Sequence, residues 1–211
     1  MRTIDDWTAL GAELRTSPGV HRPSAFSALL ATAATDCRDQ VVLDAGCGAG
    51  LVTIAALRSG AERVIAQDHD PAALADTRRN VLGILGAEAA DRLDLREADW
   101  SEPGQPRADL LAVNPPQRPS ALLGDVPAAE LHLHDSGGSD GLDGLRTVLA
   151  HANADRVRST AAAILGAGRL RAAGCSVPQR VAAVELDFSP AWRSLLPALR
   201  ASAEVWEFHR C

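Results

Sequence analysis

Through residues 40–113, short apolar runs alternate with stretches in which apolar positions return every three or four residues. The runs at 40–44, 63–67 and 109–113, with a weaker one at 93–98, have strand length and the Val, Leu and Ile of a pleat covered on both faces. Helical spacing fills 50–59 and 72–85, the second closing near Gly83 or Gly86. Ahead of them, Trp7, Leu10 and Leu14 predict an amphipathic helix over 4–15, broken by Thr16-Ser17-Pro18-Gly19. Val20-His21-Arg22-Pro23 is an extended link. Ser24 then caps a second helix running to about Thr35, with Phe26, Leu29 and Leu30 on one face. Beyond 135 a Gly137–Gly141 turn precedes a helix over 141–153, and 157–170 stays open between helix and strand. A strand at 181–188, a helix at 191–201 and a closing strand at 203–209, with alternating Val205, Trp206, Glu207 and Phe208, complete the pattern. Strands alternating with helices predict an α/β fold: one doubly wound, mostly parallel sheet with helices on both faces. Residues 1–39 form a helical extension to a domain spanning 40–211.

The first strand runs into Asp44-Ala45-Gly46-Cys47-Gly48-Ala49-Gly50, with a helix opening at Leu51. Glycines let backbone approach a ligand closely, and the helix N-terminus offers unpaired N–H groups. Spacing selects the ligand. A dinucleotide fingerprint needs G-x-G-x-x-G, whereas position 51 is Leu. The chain has no lysine, so a phosphate loop ending in Lys-Ser or Lys-Thr is excluded. Asp44 would repel a pyrophosphate and suits a ligand with a cationic end, which points to S-adenosylmethionine. The ends of the following strands are polar too: Asp68, Asp99-Trp100 and Asn114. Ligands of such sheets bind outside the carboxyl ends of the strands. Asp68, 24 residues after Asp44, can accept bonds from two ribose hydroxyls, with Asp70 as the helix cap beside it. Asp99 can accept from an adenine amino group, and Trp100 can cover the ring.

Asn114-Pro115-Pro116-Gln117 is the second signal. Two prolines rigidify the turn and remove two donors, leaving carbonyls free to accept. The Asn114 oxygen and the Pro115 carbonyl can hold an N–H group and aim its nitrogen lone pair at a methyl carbon, a gain by orientation alone. His21, His132, His134 and Asp135 are lesser candidates. With no second ligand cluster, the histidines read as loop residues and no metal is expected.

Composition narrows the classes. A net charge of −6, no tyrosine and only three phenylalanines disfavour a long nucleic-acid partner. Pairs such as Arg78-Arg79 and Arg156/Arg158 read as solvated helix faces. No apolar run spans a bilayer and the N-terminus lacks a signal-peptide layout, so a cytoplasmic location and no membrane partner are expected. Cys37, Cys47, Cys175 and Cys211 show no C-x-x-C spacing and read as reduced thiols.

These residues resemble the class I S-adenosylmethionine-dependent methyltransferases, with their Rossmann-like fold. VVLDAGCGAG is similar to their glycine motif, VIAQDHDPAAL to their acidic loop, and NPPQ to the N-P-P-Y motif of amino-methylating members. EADW at 97–100, the run ELHLHDSGGSDGLDG at 130–144 and VHRPSAF at 20–26 bring the likeness nearest to the release-factor glutamine methyltransferases, over about residues 18–150. The resemblance implies that Gly46, Gly48, Gly50 and Asp68 bind the cofactor, joining Asp44 from the charge reading, that Asp99 and Trp100 hold its adenine, and that Asn114, beside the cofactor, positions the acceptor with Pro115. Two departures steer the substrate reading. Gln117 replaces an aromatic, and a separate N-terminal helical domain is not seen. With them the expected reaction is N-methylation of a small polar amine, amino acid or short peptide, with Gln117 bonding the substrate. One alternative is a protein glutamine methyltransferase. Another is cyclisation or cleavage of S-adenosylmethionine itself, releasing methylthioadenosine and a cyclic imino acid such as azetidine-2-carboxylate. A non-catalytic cofactor-binding subunit is the plainest reading. The oligomeric state stays open.

Overall fold

The computed structural model describes residues 3–120, 136–174, 176–186 and 201–210. Its centre is a seven-stranded sheet of β1 (Val41–Ala45), β2 (Arg63–Asp68), β3 (Leu93–Glu97), β4 (Ala108–Val113), β5 (Ala154–Ala162), β6 (Gln179–Leu186) and β7 (Ala201–His209). The spatial order is β3-β2-β1-β4-β5-β7-β6. The first five strands pair in parallel, while β7 runs antiparallel to both β5 and β6. The order reverses between β1 and β4, which pair with each other. The loops after these two strands therefore emerge side by side, at the place where doubly wound sheets bind ligands.

Helices cover both faces. On one lie α1 (Ile4–Glu13), α2 (Ala25–Ala33), α3 (Leu51–Arg58) and α4 (Pro71–Leu85). Trp7, Leu30, Ile54 and Val81 from these helices share one core with Val42, Val64, Leu110 and Val205 of the sheet. The short α5 (Ala87–Ala90) follows α4. On the other face α6 (Asp143–His151) and α7 (Ala167–Ala173) bring Leu145, Val148 and Leu170 onto Leu43, Leu111, Val157 and Phe208. Local chemistry sets the helix starts: Thr3 forms a capping box with Asp6, and Asp70 accepts from the Ala72 N–H ahead of α4, with Pro71 in its first turn.

Two expectations about the C-terminal part change. The 157–170 stretch divides, its first half extending β5 and its second half entering α7. The strand at 201–209 does not close the sheet. It lies inside it, and Val205, Trp206, Glu207 and Phe208 are all buried. Alternation fails there because β7 has apolar cover on both faces. The helix expected at 191–201 falls mostly outside the described residues, as do His132, His134, Asp135, Cys175 and Cys211. No described helix is long and apolar enough to cross a membrane.

Arg78 and Arg79 are exposed on α4, but Arg156 and Arg158 are not the solvated pair that their spacing suggested. Arg158, with only 8% of its side chain exposed, donates to Glu207 (2.7 Å) and to Asp36 (2.8 Å to Oδ2), while Arg156 reaches the same two carboxylates. This cluster fastens β5 to β7 and to the end of α2. Burial pushes Asp36 up, but the bonds and charge of the two arginines outweigh it and hold the carboxyl below its usual 3.8.

Candidate functional site

A cavity of about 770 Å³ opens over the carboxyl ends of β1, β2 and β4. Its size suits a cofactor together with part of a second reactant, since ligand pockets run roughly 300–1,000 Å³. The glycine loop forms its floor. Gly46, Gly48 and Gly50 all take positive φ, at +80°, +53° and +87°. At Gly50 a Cβ would stand 2.9 Å from Thr77 Oγ1 and 3.1 Å from Thr77 Cα, so α4 can pack on the loop only if this residue is glycine. Thr77 Oγ1 donates to the Gly48 carbonyl, and Asn80 Nδ2 to that of Ala49, pinning the loop from the α4 side. Cys47 is buried within the loop, and burial pushes its thiol well above the usual range, as befits an unreactive packing group.

Asp44 is 3% exposed, and its Oδ2 accepts from both the N–H (2.9 Å) and the hydroxyl (2.6 Å) of Thr53 on α3. Burial pushes its carboxyl up to about 6, against the pull of these bonds, and the charge of Asp68 adds to the rise. A cationic group in the cavity would reverse that shift. Asp68 is held by the Gly48 N–H at 3.0 Å and the Asp70 N–H at 3.1 Å, one on each oxygen, leaving lone pairs for further donors. Asp99 is exposed; its Oδ1 accepts from the Ser101 N–H and hydroxyl, and these bonds hold it below 3.8. The Trp100 indole lies against Gly46 and Gly144, where Cβ atoms would come within 3.0 and 3.4 Å of it. Three acidic residues with an aromatic ring form a donor-accepting, cation-tolerant pocket that suits an adenosyl sulfonium. His21 lines the same cavity from the link between α1 and α2.

Asn114 and Pro115 follow β4 and border this cavity beside the glycine loop. The parallel register pairs Val113 with Ser159, which brings Thr160 of β5 level with Asn114. Thr160 is 2% exposed and its hydroxyl donates to Asn114 Oδ1 at 2.6 Å. Gln117 also lines this cavity, but its amide is engaged within the fold. Its Nε2 donates to Thr160 Oγ1 (3.0 Å) and its Oε1 accepts from the Ala162 N–H (2.6 Å), so both ends of its amide are bonded to β5. Thr160 was missed in the sequence because the stretch containing it could not be assigned. A hydroxyl at the carboxyl end of the fifth parallel strand was the available signal. The turn at Gly137–Gly141 holds the other side of the NPPQ loop. Gly137 N–H donates to the Arg118 carbonyl, and a Cβ at Gly141 would sit 2.5 Å from the Gln117 carbonyl oxygen.

Residues 19–105 match the family model described as ribosomal protein L11 methyltransferase (PrmA). A release factor glutamine methyltransferase of Cereibacter sphaeroides is 40% identical over 112 residues, covering 51% of this chain and 39% of the relative. A ribosomal protein L11 methyltransferase of Acinetobacter baylyi is 46% identical over 57 residues, 27% of this chain and 19% of that protein. The chain thus spans less than half the length of either curated relative. Among solved structures, the E. cuniculi Mtq2–Trm112 complex, which methylates the eRF1 translation termination factor, shares the fold. It aligns with a TM-score of 0.62 at 14% identity, over 92% of this chain and 99% of that one. The matched stretch is similar to methyltransferases, in line with the class I S-adenosylmethionine-dependent resemblance of its motifs, and a release factor glutamine methyltransferase is among its relatives. The methyltransferase activity and S-adenosylmethionine cofactor expected from the sequence are supported by the same matches. The small-molecule amine or short peptide expected as substrate is overturned: the relatives are named for protein substrates, L11 and a release factor. The argument from Gln117 falls with it, because that side chain is engaged within the fold.

Proposed function

We propose that this chain transfers a methyl group from S-adenosylmethionine to the side-chain amide nitrogen of a glutamine in a protein. One observation carries the reading: the acid-rich glycine-loop pocket and the Asn114-Pro115 turn open into a single cavity, from neighbouring strands at the switch point. The 40% identical stretch of a release factor glutamine methyltransferase supports the choice of amide nitrogen.

Asp44, Asp68, Asp99 and Trp100 would hold the cofactor, which supplies an electrophilic methyl on a sulfonium. An amide nitrogen is a poor nucleophile because its lone pair is delocalised into the carbonyl. The task of the protein is therefore orientation. Asn114 Oδ1 and the Pro115 carbonyl accept the two amide N–H bonds and turn the nitrogen face toward the methyl. Among the described residues, the two groups given this role, the Asn114 amide and the Pro115 carbonyl, are neutral acceptors and not strong bases. The rigid prolines keep competing backbone donors away from the acceptor. Positioning of this kind is worth up to ~7–11 kcal/mol of barrier.

The test incubates the purified chain with S-adenosylmethionine and either a release factor or ribosomal protein L11, then maps modification by mass spectrometry. S-adenosylhomocysteine release, with a methyl on a glutamine side chain, is the expected result. Methylthioadenosine as the product, or methylation at no glutamine of either protein, overturns the proposal.

Asp68→Ala removes the acceptor for the ribose hydroxyls and frees the Gly48 N–H. Cofactor affinity is expected to weaken by about 1–3 kcal/mol. Calorimetry on a variant with unchanged circular dichroism checks this; equal affinity would remove Asp68 from the cofactor site.

A further inference from the structure

We propose that Thr160 and Gln117 are positioning residues that fix which way round the Asn114 amide sits; this rests on the acceptor role given to Asn114 above. An Asn side chain has two nearly isosteric ends, and only Oδ1 can receive an N–H. Something must decide which end is presented. Here the decision starts at a backbone atom. The Ala162 N–H can only donate, so the Gln117 atom 2.6 Å from it is Oε1. The other end of that amide, Nε2, then faces Thr160 Oγ1 at 3.0 Å and donates to it. With a lone pair of Oγ1 occupied, the hydroxyl proton is free to point at Asn114. The 2.6 Å separation there belongs to O–H···O geometry and is shorter than N–H···O bonds run, typically about 2.7–3.2 Å. The chain of bonds therefore has one sense: Ala162 N–H to Gln117, Gln117 to Thr160, Thr160 to Asn114 Oδ1. It anchors Asn114 on β5 through one lone pair and leaves the second for the acceptor.

This assigns a purpose to Gln117, the position at which the chain departs from the aromatic of the motif it resembles. An aromatic there has no amide to read the Ala162 N–H and pass its direction on. The relay is also dry at its centre, since Thr160 is 2% exposed, so water does not compete for the hydroxyl.

Three variants of the chain test the relay. Thr160→Val keeps the shape and removes the hydroxyl. Thr160→Ser keeps the hydroxyl. Gln117→Glu keeps the shape but presents only acceptors, which draws the Thr160 proton away from Asn114. The first readout is independent of activity: the side-chain NH₂ resonances of Asn114 and Gln117 in ¹⁵N-labelled protein, with their hydrogen-exchange rates. Thr160→Val is expected to shift the Asn114 pair and speed its exchange, whereas Thr160→Ser keeps both near the parent values. The second readout is release-factor methylation. Thr160→Val and Gln117→Glu lower kcat by roughly 10–100-fold with KM for the cofactor little changed, and Thr160→Ser recovers most of the loss. The thermal midpoint is measured alongside, because a merely structural Thr160 would lower it without splitting kcat from KM. Unchanged Asn114 resonances in Thr160→Val overturn the relay. Shifted resonances with unaltered kcat overturn its positioning role. If the parent chain methylates no glutamine while the resonances respond as described, the functional reading fails and the relay stands.

Discussion

Asn114→Ala is expected to lower turnover about 100-fold, far more than it lowers cofactor affinity. The reason is geometric. In the proposed mechanism Asn114 supplies one of two oxygens that hold the acceptor N–H groups, and it would do so from a turn stiffened by Pro115 and Pro116. Losing it leaves the proposed cofactor pocket, built at the ends of β1, β2 and β3, intact. It also leaves the Thr160 hydroxyl without its acceptor. Asn114→Asp is the sharper probe. A carboxylate still accepts the Thr160 proton, but it sets a charge beside a neutral amide acceptor and loses the donor end of the Asn amide. That variant should bind cofactor and turn over slowly. Isothermal titration beside single-turnover kinetics separates the two effects. Near-parental turnover in Asn114→Ala would make the NPPQ segment a rigid turn only.

The parts of this site that were legible in the sequence are local. Glycines at 46, 48 and 50 announce themselves because positive φ and close packing against Thr77 demand them within a few residues of a strand end. The polar strand ends at Asp44, Asp68 and Asn114 could be ordered into one site because parallel topology places the carboxyl ends together. What could not be read is non-local. The Gln117–Thr160 bond joins residues 43 positions apart, and nothing near Gln117 in the chain says that its amide is already used. Polarity alone suggested a substrate contact, and tertiary pairing decided otherwise. The same holds for β7. Its sequence, with two glutamates among apolar residues, reads as an edge with one wet face. Burial is possible because Arg180 pairs with Glu204, and Arg158 and Arg156 with Glu207, from the strands on either side. Alternation misleads wherever buried charges are matched by charges supplied from another strand.

Arg158→Met is expected to destabilise the protein by up to about 3 kcal/mol at neutral pH, because it removes the shortest bonds to the buried Glu207 carboxylate and to Asp36 at the end of α2, leaving them the longer contacts of Arg156. Removing the partner charge as well, in Arg158→Met with Glu207→Gln, should recover part of that loss, since much of the penalty is that of a buried charge left under-compensated. Acidification gives a second check. Asp36 is held below 3.8 in the native state, so its contribution is complete above the unfolded value and is lost as pH falls through the lower native one. The parent chain therefore loses stability faster than Arg158→Met below about pH 4, and the gap between them narrows. Urea midpoints from pH 7 to pH 3 measure it. A gap that stays constant or widens would show that Asp36 gains nothing from Arg158. Arg158 and Thr160 lie two residues apart on one strand, facing the same side of the sheet. Arg158→Met should cost stability and, in the folded fraction, leave kcat near the parent. Thr160→Val should do the reverse. The strand fastening that places β5 against α2 and the hydroxyl that orients Asn114 are then separate contributions, and a variant pair that moved stability and turnover together would argue that β5 acts as one unit.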